Sequence, residues 1–181
     1  MKNLNTYIQE NTCINEKLII VHRSYSCAPQ MKEELREIIV ERLKKDPDAD
    51  LNDIDVSNIK YMNKLFVGLD PHNIDISRWD VSNVENMNSM FYECINFNSD
   101  LSKWDVSNVE DMSSMFDNCE NFNSDISRWD VSNVRYMSYM FWKCKKFNMD
   151  LNSWNVSKHT VTFNTFAGCD NMEELPKWFV K

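Results

Sequence analysis

Apolar residues in the greater part of this chain recur at one fixed distance. Ile76, Leu101, Ile126 and Leu151 stand 25 residues apart, as do Val81, Val106, Val131 and Val156. Met87, Met112 and Met137 form a third register; Phe91, Phe116, Phe141 and Phe166 form a fourth; Phe97, Phe122 and Phe147 form a fifth. Polar residues keep the same beat, with DVSN beginning at Asp55, Asp80, Asp105 and Asp130 and NVSK at Asn155. Five copies of a 25-residue unit, starting near 50, 75, 100, 125 and 150, account for residues 50–173. Spacing without insertions predicts one coil per copy, with like side chains stacked in continuous interior columns.

Inside each copy, Val84, Met87, Phe91 and Cys94, with Met90 on the same face, have helical spacing, and Ser82 or Asn83 is a suitable N-cap. The stretch from Asn98 to Trp104 alternates without a helical stripe and predicts a short strand, paired in parallel with its neighbours about 4.8 Å away. The expected fold class is therefore an α/β repeat solenoid, a right-handed leucine-rich-repeat-like coil with one short parallel strand and one short helix per repeat. Residues 1–49 read as an N-terminal strand–helix cap. Its strand is Lys17–His22, and its amphipathic helix runs over Met31–Lys45, with Leu35, Ile38, Ile39 and Leu43 on one face between Pro29 and Pro47. The fifth copy has Thr162 and Thr165 in place of methionines, and residues 174–181, where Leu175 and Trp178 echo the D-L-x-x-W segment, read as a C-terminal cap.

The run WDVSNVxxMxxMFxxCxxFNxDLSxW, in near-identical copies over about residues 50–178, resembles the BspA-like leucine-rich-repeat family of bacterial surface proteins and lipoproteins. The lead-in EELREIIVERLKKDPDADLNDIDVSNI is similar too. The resemblance implies a leucine-rich-repeat solenoid, adhesion or partner binding, and no enzymatic activity.

Charge narrows the choice of partner. A formal net charge of −8 excludes general attraction to nucleic-acid phosphates, which needs clustered Lys and Arg. With two glycines in 181 residues there is no glycine-rich phosphate loop, and no cofactor is expected. The opening residues MKNLNTYIQENT contain no apolar run, so neither a signal peptide nor a membrane span is expected, and the expected location is the cytoplasm. Cys94, Cys119, Cys144 and Cys169 fall one repeat apart, so the period explains them as packed, reduced thiols. His22, His72 and His159 lie in separate regions and complete neither a zinc set nor a catalytic triad.

Most residues that look functional are repeat positions. The Trp column (Trp79, Trp104, Trp129, Trp154) suits a stacking platform but is better explained as a cover for the coil. The Asp columns that begin at Asp50 and Asp55 suit Ca²⁺, yet aspartates in D-x-S turns accept backbone N–H bonds, so no metal site is expected. Departures from the repeat are more informative. From Asp75 to Asn133 there are twelve acidic and three basic residues, whereas Val134–Met149 holds four basic and none acidic. Arg135, Tyr136, Tyr139, Trp142, Lys143 and Lys146, expected on one helix, combine aromatic and basic groups as binding hot spots do. Glu85, Glu93, Glu110, Asp111 and Asp117 form a second candidate, an acidic face for a basic partner.

The expected function is a non-enzymatic scaffold that binds another protein through its repeat surface. The alternative is a small acidic inhibitor, phage- or mobile-element-encoded, that blocks a nucleic-acid-binding host or defence enzyme in the manner of an anti-CRISPR protein. A hydrolase with a Cys–His pair assembled across the fold is the third and weakest reading.

Overall fold

The computed structural model describes residues 31–180, so the strand expected at Lys17–His22 lies outside the described residues. One helix, α1, runs over Lys32–Lys45. Glu33 and Glu34 in its first turn and Arg42, Lys44 and Lys45 in its last match the helix dipole. Leu35 and Ile39 are buried, and Ile38 and Leu43 pack against the same core. Polar contacts join α1 to the first copy. Arg36 Nη1 donates to the Leu65 carbonyl, Arg36 Nη2 to the Val67 carbonyl (2.7 Å), and Arg42 pairs with Asp53 (2.6 Å).

Each 25-residue copy forms one coil of a stack, but the coils are not built as expected. No second helix and no strand occurs among the described residues; the coils are linked by isolated parallel bridges, Tyr61–Asn86–Asp111–Tyr136–Val161 in succession, with one more between Asp50 and Asp75. The α/β repeat solenoid with a strand and a helix per repeat is thus corrected to a stack of turn-built coils. The expected strand around Asn98–Trp104 is absent, and all the bridges but that of Asp50 and Asp75 fall in the segment expected to be helical.

Hydrogen bonding explains the difference. In the second coil the N–H groups of Met90 and Cys94 close three-residue turns onto Met87 and Phe91. A chain of such turns brings a side chain inward every three or four residues, which is also the helical period. Between the turns, the N–H groups of Met87, Ser89, Phe91 and Glu93 donate to Asp111, Ser113, Met115 and Asp117 of the third coil, all at 2.8–2.9 Å. A helix would have returned them to its own carbonyls. Turning the peptides this way requires left-handed backbone at two positions per coil. Lys64, Ser89, Ser114, Tyr139 and Asn164 occupy one such column, with φ between 53° and 60°, and Gly68, Glu93, Asn118, Lys143 and Gly168 the other. Both glycines of the protein sit there. Each non-glycine residue costs on the order of 1 kcal/mol in this conformation, which the bonds to the next coil offset.

Side-chain columns fill the interior. Phe91, Phe116 and Phe141 stack at 5.6 and 5.8 Å, and Phe116 also lies 3.9 Å from Phe122. Trp Nε1 groups donate across the coils, Trp79 to the Leu51 carbonyl (2.9 Å) and Trp129 to that of Leu101 (3.0 Å). Cys119 and Cys144 Sγ donate to the Phe91 and Phe116 carbonyls at 2.9 and 3.0 Å. Trp and Cys thus give a second hydrogen bond to carbonyls that already accept the turn bonds of their own coil, as Leu101 does from the Trp104 N–H and Phe91 from the Cys94 N–H. Asp55, Asp75, Asp100, Asp125, Asp130 and Asp150 each accept the backbone N–H two residues on. Side-chain hydrogen bonds, from Asn52 for Asp75 and from the serine two residues on for Asp55, Asp100, Asp125 and Asp130, together with that backbone bond, which leads for Asp150, hold their carboxyls below the ordinary range. Their contribution to stability is present above about pH 4 and is lost as pH falls through the lowered values.

Phe116 is fully buried between two coils. Phe116→Ala should cost about 3–5 kcal/mol in urea unfolding, the range for emptying a closed aromatic site; a cost below about 1 kcal/mol would show that the columns do not hold the stack.

Candidate functional site

The two surfaces singled out in the sequence are one surface. Glu85, Glu110 and Arg135 belong to a single column: the Glu110 N–H bonds to Glu85 O and the Arg135 N–H to Glu110 O, at 2.9 and 2.8 Å. Asp111 and Tyr136 are bridged in the next column, and Glu93 shares a left-handed column with Lys143. The segment expected to carry the aromatic and basic groups on a helix, from Val134 to Lys146, is instead turn and bridge, like its counterparts in the other coils.

Pairing along the columns changes the electrostatics. Lys60 bonds Glu85 at 2.7 Å, Arg135 lies 3.4 Å from Glu110, and Lys145 meets Glu120 at 2.6 Å. Asp111 accepts from the Ser113 N–H at 2.9 Å and from Asn86 Nδ2 at 3.4 Å, while Glu93 is exposed. Asp117 is buried rather than on the surface, and its Oδ1 has no hydrogen-bond partner. Burial pushes its carboxyl up to about 6, with the Glu93 charge adding to the effect, while Ser114 and Lys143 oppose it. The acidic face is therefore partly neutralised and partly inside.

Of the aromatic cluster Tyr136 is exposed, while Tyr139 and Trp142 are half-buried. Tyr136 is 52% exposed at the Val161 bridge. Tyr139, held in left-handed backbone, stands edge-on to Trp142 at 6.5 Å and to Phe163 at 5.4 Å. Lys143 Nζ sits 4.0 Å over the Trp142 ring, a cation–π contact that fixes both. Lys146 is exposed. A shallow groove of about 420 Å³ runs beside the cluster, bordered by Glu110, Arg135, Tyr136, His159, Thr160 and Val161.

Sequence reasoning missed two members of this patch, Val161 and Phe163, which are 47% and 61% exposed. The signal was present. Phe163 stands where the other copies have Asn63, Asn88, Ser113 and Ser138.

Among the described residues, no group of three His, Cys, Asp or Glu is placed to hold a metal, and no helix is long and apolar enough to cross a membrane. Burial pushes the Cys94 and Cys169 thiols up to about 12 and those of Cys119 and Cys144 well above their usual value. Thiols so placed are poor nucleophiles at neutral pH.

A family model described as "Mycoplasma protein of unknown function, DUF285" matches residues 34–122 and, in a second overlapping match, residues 60–179. The chain belongs to this family. Neither the curated proteins nor the solved structures gave a match. The description of DUF285 assigns no activity, so the functional reading of this member rests on its own surface.

Asp117 supplies a pH test. Its carboxyl is raised in the fold above the ordinary 3.8, so its contribution to stability is full below about pH 4 and is lost as pH rises through about 6. Asp117→Asn should therefore raise the melting temperature relative to the parent near pH 7.5, with the gain shrinking toward about pH 4. Equal gains at both pH values would show that Asp117 does not titrate in this way.

Proposed function

We propose that this protein is a non-enzymatic binding module that engages another protein through the surface of its fourth and fifth coils. Tyr136, Tyr139 and Trp142 serve as anchors, extended by Val161 and Phe163, with Arg135, Lys143 and Lys146 at the rim. The observation that carries this reading is the exposure of Tyr136, Val161 and Phe163 side by side, in a stack whose other large apolar side chains are mostly buried. Clustered aromatic groups within a basic border match the composition of protein-binding hot spots. The resemblance of the repeat to the BspA-like surface proteins points the same way.

The acidic-inhibitor reading requires an unpaired negative face. Glu85 and Glu110 have cationic partners and Asp117 is buried, so that reading has less support. We propose a reducing compartment, the cytoplasm; the reading is supported by the thiols of Cys119 and Cys144, which donate to the Phe91 and Phe116 carbonyls inside the stack.

The test is a combined Tyr136→Ala, Tyr139→Ala and Trp142→Ala variant. Immobilised parent protein should capture a partner from lysate of the source cells, and the variant should capture at least about tenfold less with an unchanged melting temperature. Undiminished capture by a folded variant would sink the proposal.

A further inference from the structure

The ladder between coils has a direction, and its two ends are treated differently. Along the ladder of Met87, Ser89, Phe91 and Glu93 and its counterparts, each bond runs from an N–H to a carbonyl of the following coil. The last rungs are Met137, Tyr139, Phe141 and Lys143 donating to Val161, Phe163, Thr165 and Ala167. At the first coil the outward groups are carbonyls, and Arg36 of α1 covers those of Leu65 and Val67. At the fifth coil the outward groups are the N–H groups of Thr162, Asn164, Phe166 and Gly168. Among the described residues none of these four has an acceptor. Residues 174–180 begin a sixth coil: Trp178 stacks on Trp154 at 6.1 Å and Phe179 covers the Phe166 side chain at 5.2 Å, but no group in this segment accepts from the four N–H groups.

We propose that this uncovered edge docks an extended acidic segment of a partner protein, whose carbonyl and carboxylate oxygens accept from the N–H row of the fifth coil. The proposal rests on the protein-binding reading above and names the partner's chemistry. An ordinary strand edge offers donors and acceptors together and so pairs with its own kind. Here four unpaired donors follow one another from Thr162 to Gly168, with the outward carbonyls of Thr160 and Asp170, counterparts of the acceptors Arg135 and Lys145, only at the two ends of the row; the aligned peptides behind the row place the positive pole of their dipoles there. Acceptors match that row, and negative charge matches it best.

Side chains around the edge agree. In a chain of net charge −8, neither residues 134–149 nor residues 155–169 contain a carboxylate, and together they hold Arg135, Lys143, Lys145, Lys146 and Lys158. Arg135 and Lys145 point their charge back to the third coil; Lys143, Lys146 and Lys158 have no carboxylate within ion-pair distance among the described residues. Val161 and Phe163 alternate with the donors and are exposed, giving apolar contacts between the hydrogen bonds. A second copy of this chain fits less well, because Arg36 already holds the Leu65 and Val67 carbonyls of its matching edge.

The experiment uses the full chain and a synthetic peptide of alternating Asp and Leu, titrated by calorimetry against the same peptide with Lys for Asp. The acidic peptide should bind and the lysine peptide should not. Thr162→Pro, which deletes one unpaired donor, and Phe163→Asp should each weaken binding at least about tenfold while the melting temperature holds. Equal binding of both peptides, or unchanged affinity in both variants, overturns the proposal. If the triple-alanine variant loses lysate capture while Thr162→Pro keeps it, the aromatic surface stands and the edge falls. If Thr162→Pro loses the acidic peptide while the triple-alanine variant keeps both peptide and capture, the edge stands and the aromatic anchors fall. Dimerisation in size-exclusion chromatography with light scattering, abolished by Thr162→Pro, would replace the acidic partner with a second copy and overturn the proposal.

Discussion

The backbone bond that each coil gives to the next governs most of the architecture of this protein. Because Met87, Ser89, Phe91 and Glu93 spend their N–H groups on the third coil, the chain cannot close a helix in that segment. It must turn, and the turns require left-handed residues at two fixed positions per coil. Carbonyls that close the turns each accept a second bond from a tryptophan or cysteine of the following repeat. The fixed period of 25 is thus a hydrogen-bonding requirement as well as a packing one: a shift of one residue would unpair the ladder, the Trp bonds and the thiol bonds together.

This explains what the sequence made legible. The columns were readable because stacking places like residues over like. Every register from Ile76 to Phe147 expected in the interior is buried, save that Val156, near the end of the stack, is only partly so. α1 was readable from its apolar face and its flanking prolines. The secondary structure within the repeat was not, because a succession of three-residue turns and a helix bury side chains with nearly the same period. What separates them is the sign of φ at Ser89 or Tyr139, and a serine or tyrosine does not announce left-handed backbone as glycine does. Gly68 and Gly168 did mark one of the two columns, but only at its ends.

The candidate surface was half legible. Departures from the repeat picked out Tyr136, Tyr139 and Trp142, which the fold brings next to one another. The same comparison carried into the fifth copy would have added Phe163. Charge was the harder part. Glu110 and Arg135 looked like members of two opposed surfaces because they are 25 residues apart, yet in a stack of this period that separation is adjacency. Asp117 had the composition of a surface residue and the position of a buried one, in a column whose neighbours are the large side chains Tyr92 and Trp142.

The identity of the joint between coils has a consequence for how such a chain can change. Each coil presents to its successor the same faces that it receives from its predecessor, so whole units of 25 residues can be duplicated or lost with the backbone joints intact. Such an event would move only side-chain partnerships. Removing the third coil, for example, would bring Arg135 into the place beside Glu85 that Glu110 now fills, exchanging a like-charged neighbour for an opposite one. Length in this architecture is a variable that can be adjusted in steps, and the sign of each column is reset at every step.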